Sequence, residues 1–156
     1  MARGITHSLL DRLVDDEPER AIEPAESDAR ALERYKVGLR RDLEALLNSK
    51  RPDLAAFERY PEIEQTVTGF GIADISTEDL ATQGARDRVR RMVAQAIRIH
   101  ESRLTDVDVE IDDGPTSTGI RLRISAQLSL TRGKDTVVYE ANVRPGDRAI
   151  AVSLTG

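Results

Sequence analysis

The acidic side chains are the residues of this sequence with the most obvious potential for chemistry. The chain holds 28 Asp and Glu residues, so pairs such as Glu58 and Glu62 arise by chance. Glycoside hydrolysis needs two carboxylates about 5–9 Å apart across a cleft, one of them with a raised pKa. No acidic pair here stands in an apolar setting with aromatic neighbours that could raise a pKa and stack on a sugar. The sequence therefore argues against a hydrolase.

Other catalytic and metal-binding patterns are also missing from the sequence. His7 and His100 are the two histidines, and neither has a second histidine or a carboxylate cluster at ligand spacing. The chain has no cysteine, which excludes disulfides, thiolate metal sites and a cysteine nucleophile. Gly69-Phe70-Gly71 lacks the lysine and the third glycine of the nucleotide-binding motifs. We therefore predict no catalytic residue, no metal site and no cofactor.

Two long amphipathic helices are predicted in the first two thirds of the chain. Apolar residues recur at three- and four-residue steps from Leu32 to Leu47, with Asp28 as the candidate cap and an end near residue 49. Residues 50–61 are predicted as a loop, followed by a short helix over 62–68 that begins after Pro61. The second long helix is predicted over 84–101, and we expect His100 at its end to be a packed or C-terminal histidine.

The second helix is basic on the side opposite its apolar face. Its arginines at 86, 88, 90, 91 and 98 could bind nucleic acid. The net charge of the chain is −5, however, and the acidic segment 11–28 would compete with phosphate. Aromatic residues make up only 3%, which weighs against binding single strands by stacking. A solvated or protein-binding face is therefore predicted, with no nucleic-acid partner.

The last third of the chain changes from helical to strand periodicity. Apolar residues alternate with polar ones from Leu104 to Ile111, from Ile120 to Leu130, and from Val137 to Val143. Ile150, Val152 and Leu154 complete a last strand. Short turns between these segments predict a four-stranded antiparallel meander. Helices followed by strands indicate an α+β fold, with the N-terminal helices packed on one face of the sheet.

The N-terminal segment differs from the rest in composition. Ser8 can cap a turn that carries Leu9, Leu10 and Leu13, and an acidic stretch with Pro18 and Pro24 follows. We therefore divide the chain into a docking turn with an acidic flexible linker at residues 1–28 and one domain at 29–156. The turn could bind a partner or fold back on its own domain, and truncation before residue 28 would cost stability in the second case. No signal peptide or apolar run of about 18 residues is visible, which predicts a cytoplasmic protein without membrane insertion.

Four motifs in order along residues 8–154 carry a resemblance. They are Ser8-Leu9-Leu10-Asp11-Arg12-Leu13 with the acidic linker, Leu39 to Lys50, Tyr60-Pro61-Glu62 with Thr66-Val67 and Phe70 to Ser76, and Ala96 to Leu104 with Val107 and Val109. Together they resemble the TssE family of type VI secretion baseplate proteins, and through it the phage baseplate wedge family whose members are often called lysozyme-like. One feature departs from the family, because Glu101-Ser102-Arg103 stands where relatives have Glu-Pro-Arg. The charges match, but the backbone restriction that proline imposes on Glu101 is lost.

The resemblance implies a non-enzymatic structural role. TssE-like subunits sit in wedges with the TssF, TssG and TssK components, meet the first sheath ring and template sheath assembly. A cytoplasmic interaction module of the same fold, such as an anti-adaptor, is the main alternative, and a peptidoglycan hydrolase is a third. Neighbouring genes for sheath and tube would distinguish the first two, and a turbidity assay on cell walls tests the third.

Three partner-binding sites are predicted on this basis. An edge of the C-terminal sheet accepts a sheath strand, so Val152→Pro should abolish sheath nucleation while the fold survives. Glu101 and Arg103 pair either with opposite charges on a partner or with each other to orient the helix-to-strand junction. Leu9, Leu10 and Leu13 form the third predicted site, a docking turn on its acidic tether.

Overall fold

The structure is a computed structural model in which helices precede a sheet. It describes residues 11, 13, 19, 27–52, 54–76, 78–112, 119–130, 133–144 and 149–155. From residue 27 onward, three α-helices and two short 3₁₀ segments come before four β-strands. The predicted α+β class is therefore confirmed.

The first long helix, α1, spans Asp28–Asn48. Its cap is Ser27, whose Oγ accepts a hydrogen bond from the Arg30 N–H at 3.4 Å. The prediction that Asp28 caps the helix is therefore wrong by one residue, since Asp28 is the first helical residue and places its charge at the positive end of the helix dipole. The predicted end near residue 49 is confirmed. One face of α1 is buried and comprises Ala31, Tyr35, Lys36, Gly38, Leu39, Leu43, Leu46 and Leu47.

The segment after α1 is more regular than predicted. A four-residue helix, α2, spans Ala56–Arg59 inside the predicted loop, so that part of the prediction is wrong. Two 3₁₀ segments follow at Pro61–Gln65 and Val67–Gly69, where a short helix was predicted. After the second 3₁₀ segment the chain runs beside the end of α1, where Lys50 and Ile72 form an isolated parallel bridge. The returning chain is held there by backbone hydrogen bonds in both directions.

The second long helix, α3, spans Gln83–His100. Thr82 caps it by accepting a hydrogen bond from the Ala85 N–H at 3.3 Å. Most of the predicted apolar face is buried, including Val89, Val93 and Ile97. His100 is partly buried at the last turn, where its Nε2 lies 3.0 Å from the Gly69 carbonyl and its ring meets Phe70 edge-on at 5.4 Å.

The four strands form one antiparallel sheet in sequence order, β1-β2-β3-β4. Their bounds are Leu104–Ile111 for β1, Ile120–Leu130 for β2, Gly133–Arg144 for β3 and Ala149–Leu154 for β4. The predicted meander is therefore confirmed. The register is continuous except in β1, where Asp106 and Val107 form a bulge between the pairs Thr105–Gln127 and Asp108–Ser125. Asp106 has a positive φ of 52°, which bends this outer strand.

Both long helices lie on the apolar face of the sheet and contact each other. Helix α1 packs against β4 and α3 packs against β1, so each helix covers one half of the same apolar face. The layer between the helices and the sheet contains fully buried side chains, among them Leu39, Leu43, Val93, Ile97 and Leu122. Alternate residues of β2 and β3 point to the opposite face, which is polar and partly exposed. The result is a two-layer fold with both outer strands next to a helix.

Two polar contacts fix α1 to β3, one inside this core and one at its margin. The buried Tyr139 hydroxyl donates to the Lys36 carbonyl at 3.1 Å, and the Lys36 Nζ lies 3.0 Å from the Asp135 carboxylate. Burial raises the pKa of Tyr139 above its ordinary value of 10.0. The neutral phenol therefore stabilises the fold at neutral pH, and this contribution declines as the pH rises above about 10.

We expect Tyr139→Phe to lower the free energy of unfolding by about 1 kcal/mol, because it removes one buried hydrogen bond and keeps the ring volume. Urea unfolding followed by circular dichroism measures this change. The same variant should lose less stability than the original chain between pH 9 and pH 11. Tyr60→Phe is the matched control, since Tyr60 is exposed and should show neither effect. Equal losses in the two variants would contradict the role of the Tyr139 hydroxyl.

Candidate functional site

Glu101 and Arg103 meet at the junction between α3 and β1. Glu101 is the residue that ends α3, and in the part of the chain that the structure describes it is, with Lys36, one of two buried charged residues. Arg103 binds both of its carboxylate oxygens, with Nε 2.7 Å from Oε1 and Nη2 2.5 Å from Oε2. The Arg103 N–H also donates to Glu101 Oε1 at 3.1 Å. This bidentate pair closes the turn between the end of α3 and the start of β1.

Asp42 of α1 is the third member of the junction. Its Oδ2 accepts from Arg103 Nη2 at 2.7 Å, and the Arg103 guanidinium also lies 5.7 Å from the centre of the Tyr35 ring. We call Asp42, Glu101 and Arg103 the charged junction. It ties the first helix to the start of the sheet. These are the contacts of an internal pair, and direct pairing of Glu101 or Arg103 with a partner protein stays a prediction.

The charged junction continues to the N-terminal segment. Asp42 Oδ1 lies 3.1 Å from Arg41 Nη2, and the same Arg41 nitrogen binds Asp11 Oδ1 at 2.7 Å. Asp11 can approach this closely because Gly38 has no side chain, and a Cβ there would stand 2.8 Å from Asp11 Oδ1. Acids and bases therefore alternate from Asp11 through Arg41, Asp42 and Arg103 to Glu101.

The neighbouring acids raise the pKa of both Arg41 and Arg103. Burial alone would lower the pKa of Arg103, but hydrogen bonds to Glu101 and Asp42 outweigh it, so the pKa is raised. The pKa of Arg41 is raised in the same way by Asp11 and Asp42. Both guanidinium groups are therefore fixed as cations. Each also has one buried nitrogen that finds no hydrogen-bond partner among the described residues, Nη1 in Arg103 and Nε in Arg41.

The predicted docking turn is described only in part. Leu9 and Leu10 lie outside the described residues, as does Ser8. Asp11 and Leu13 are helical, and Leu13 is 81% exposed. Asp11 faces α1, so this segment does contact its own domain while Leu13 faces solvent. The role of Leu9, Leu10 and Leu13 in binding a partner stays a prediction.

Val152 lies in β4, at the outer side of the sheet, with its side chain buried. The backbone of β4 on that side is bound by three side chains of α1. The Ile150 N–H and carbonyl each bond the Asn48 amide at 2.8 Å. The Val152 N–H donates to Glu44 Oε2 at 3.1 Å, and its carbonyl accepts from Arg40 Nη1 at 3.2 Å. We call Arg40, Glu44 and Asn48 the edge ladder.

The opposite edge, at β1, receives arginines from α3. Arg98 Nη2 donates to the Val107 carbonyl at 2.6 Å, and Arg90 Nη1 donates to the Val109 carbonyl at 3.4 Å. Arg88 is paired with Glu78 at 2.6 Å. Much of the basic face predicted on this helix is therefore bound within the subunit, which leaves less of it for a nucleic acid.

Sequence reasoning missed the edge ladder and Asp42. The polar residues of the ladder stand at four-residue steps beside the apolar face of α1, and this spacing is visible in the sequence. Their targets lie more than a hundred residues later. Asp42 is likewise 61 residues from Arg103. Such long-range pairings are set by packing, which no local pattern reports.

The described residues hold no group of three or more potential metal ligands. Glu58 and Glu62 are both exposed, and the acids of the charged junction are each bound by an arginine. One open, mainly apolar depression lies beside the end of α1 and the start of β4, lined by Leu47, Ile72, Ile75, Val143 and Ile150 among others. The candidate sites in this part of the chain are surfaces, a sheet edge and an ion-pair network, which are features of an assembly subunit.

The comparison with protein families agrees with that class. The sequence model of the family described as baseplate wedge protein gp25 matches residues 33–132. This match covers more than half of the chain, so the chain belongs to the gp25 baseplate wedge family. It covers α1 from residue 33 onward together with α3, β1 and β2, and thus includes the whole charged junction. Searches of the curated proteins and of the solved structures give no significant match.

Family membership gives the protein a structural role in the baseplate of a contractile injection system, in contact with other baseplate components. Among the helices that the structure describes, none has the length and apolar character needed to span a membrane.

Proposed function

We propose that this protein is the TssE-like baseplate subunit of a type VI secretion system, working in the cytoplasm. In this role it joins wedge subunits similar to TssF, TssG and TssK and nucleates the contractile sheath. The proposal rests on the family match together with the motifs at residues 8–13 and 96–104. It involves no catalysis and no cofactor, because binding is carried by surfaces and by a backbone edge.

The observation that supports sheath nucleation best is the state of the β4 edge. Four backbone groups of Ile150 and Val152 point away from β3, and they are bound by side chains instead of by another strand. Side chains can move away without unfolding the sheet, so a strand from a partner can take their place. The regular register of β4 supports such pairing, whereas the bulge in β1 interrupts the hydrogen-bond pattern that a further strand would need.

The network of alternating acids and bases from Asp11 through Arg41 to Glu101 suggests a place for the wedge contact. Its inner members, Glu101 and Arg103, are largely buried, whereas the Arg41 side chain is 38% exposed. We infer that a wedge subunit meets the Arg41 end of this network, and that Glu101 and Arg103 orient the junction behind it. The alternative, in which Glu101 and Arg103 bind the partner directly, is separated by the stability measurement on Arg103→Glu described below.

The structure changes how the sheet edge should be tested. Val152→Pro would remove the N–H that Glu44 accepts within the subunit, so it would alter the fold as well as the edge. Leu154 lies two residues further along β4, so its backbone groups point in the same outward direction by strand alternation. Leu154→Pro therefore removes an outward donor without touching the edge ladder.

We expect Leu154→Pro to reduce sheath assembly at least about tenfold, because one backbone bond to the partner strand is lost and the proline ring obstructs pairing. Assembly is measured as sheath formation from purified sheath subunits on baseplate complexes that contain the variant. Leu154→Ala is the matched control, since it removes a similar part of the side chain and keeps the N–H. Normal assembly with Leu154→Pro would refute strand pairing at β4, and failure of the original chain to co-purify with wedge subunits would refute the baseplate assignment.

A further inference from the structure

The edge ladder occupies the positions that a fifth strand would occupy beside β4. We propose that Arg40, Glu44 and Asn48 act as an exchangeable substitute for a strand. They keep the edge closed in the free subunit and leave it when an extended, apolar segment of a partner pairs with β4. This inference rests on the proposed function, since it describes how the strand-accepting edge is controlled.

The hydrogen-bond pattern is that of a neighbouring strand. The Asn48 amide gives one donor and one acceptor to the two backbone groups of Ile150, as a paired residue does in an antiparallel sheet. Arg40 and Glu44 supply the donor and the acceptor for Val152. Outward-facing residues of a strand recur every two positions, about 7 Å apart. The ladder residues recur every four helical positions, about 6 Å apart, which is why one helix face can match one strand edge.

Exchange of the ladder for a strand leaves no charge without a partner. Arg40 Nη1 already lies 2.9 Å from Glu44 Oε2, so the two side chains remain an ion pair when they leave β4. The Asn48 amide also donates to the Glu44 carbonyl of its own helix at 2.8 Å. Arg40 and Glu44 are 32% and 41% exposed, so solvent can receive them. The hydrogen bonds lost by β4 are then replaced one for one by backbone groups of the incoming strand.

The surroundings indicate what kind of strand fits. The apolar depression described above adjoins Asn48 and Ile150. A segment that pairs with β4 past Ile150 would place one side chain at this depression, where Ile72 and Val143 offer apolar contact. The matching partner is therefore an extended segment with an apolar residue at that position. A charged residue there would lose its hydration without gaining a partner.

The two edges of the sheet are not equivalent in this respect. At β1 the arginines of α3 bind carbonyl groups at Val107 and Val109, next to the bulge at Asp106. At β4 both N–H and carbonyl groups of consecutive outward residues are bound. Among the contacts of the described residues, the strand-like set is found at β4 and not at β1, and this difference supplies a control on the same molecule.

The first experiment measures backbone amide exchange in the full-length free subunit. In Asn48→Ala we expect the Ile150 amide to exchange at least about tenfold faster while the Val152 amide changes little. In Glu44→Ala the pattern should be reversed, with faster exchange at Val152. The control variant Arg90→Ala/Arg98→Ala should leave both amides unchanged. Unaltered exchange at Ile150 and Val152 in the ladder variants would overturn the inference, whatever the sheath does.

The second experiment uses the purified sheath subunit as the probe. If the ladder competes with the partner strand, only subunits whose β4 edge is open can bind the sheath subunit. The apparent affinity is then the intrinsic affinity multiplied by the fraction of subunits with an open edge. We therefore expect Arg40→Ala/Glu44→Ala/Asn48→Ala to bind the sheath subunit about tenfold more tightly than the original chain. Equal or weaker binding would overturn the exchange. If neither chain binds although the amides are released as expected, the proposed sheath contact fails while the capping role of the ladder stands.

Discussion

Replacing Arg103 by glutamate is expected to lower the free energy of unfolding by about 3 kcal/mol or more. The new carboxylate would replace a guanidinium that binds both Asp42 and Glu101, so three acids would stand together beside Arg41, which binds Asp42. The Arg103 side chain is only 20% exposed, which leaves little solvent to screen that repulsion. Urea unfolding at neutral pH measures the loss, and we expect both the helix signal and the sheet signal to fall in one transition.

Arg121→Glu is the control for this charge reversal. Arg121 pairs with Asp112 at 3.4 Å, and both side chains are about half exposed, so the change should cost about 0.5 kcal/mol or less. If Arg103→Glu is as stable as the original chain but loses binding to a wedge subunit, the internal role of Arg103 is refuted. Direct pairing of Glu101 and Arg103 with a partner would then be the better explanation.

Gly71→Ala is expected to lower the free energy of unfolding by at least about 3 kcal/mol. Gly71 has a φ of +109°, and a Cβ built on it would stand 2.2 Å from the Ser49 carbonyl oxygen. That oxygen accepts the Ile72 N–H, which is part of the bridge that holds segment 61–76 against α1. The methyl group must therefore break the bridge, and the melting temperature should report this.

Gly133→Ala distinguishes backbone strain from a steric clash of the added Cβ. Gly133 has a similar φ of +114°, but no atom of the described part of the chain lies within 4 Å of its Cβ position. The substitution should therefore cost only the backbone term, about 1–2 kcal/mol. A comparable loss in both variants would mean that crowding at Gly71 is relieved by movement of Ser49, and it would contradict a rigid bridge.

The fold was largely predictable because its signals are local. The change from 3.6-residue to 2-residue periodicity near Leu104 separates the helices from the sheet, and short turns dictate neighbouring antiparallel strands. The errors are local too. Ser27 competes with Asp28 for the cap, and both are good capping residues. Helix α2 is only four residues long, too short for a periodic signal.

The candidate site was less predictable, and the reason is distance along the chain. Glu101 and Arg103 drew attention because they are close in sequence and match a family motif apart from Ser102. Their contact with Asp42 depends on how α1 packs over the sheet, which periodicity does not specify. The edge ladder is similar, since a polar stripe on a helix is normally taken as solvated.

Each long helix is attached to the sheet along two lines, one through its apolar face and one through polar side chains at the sheet margin. The helices also contact each other. When the edge ladder leaves β4, the apolar contacts of α1 with the sheet remain, so we expect a pull on either outer strand still to reach a helix and the far margin of the sheet. A subunit that carries load in this way keeps its orientation relative to its neighbours.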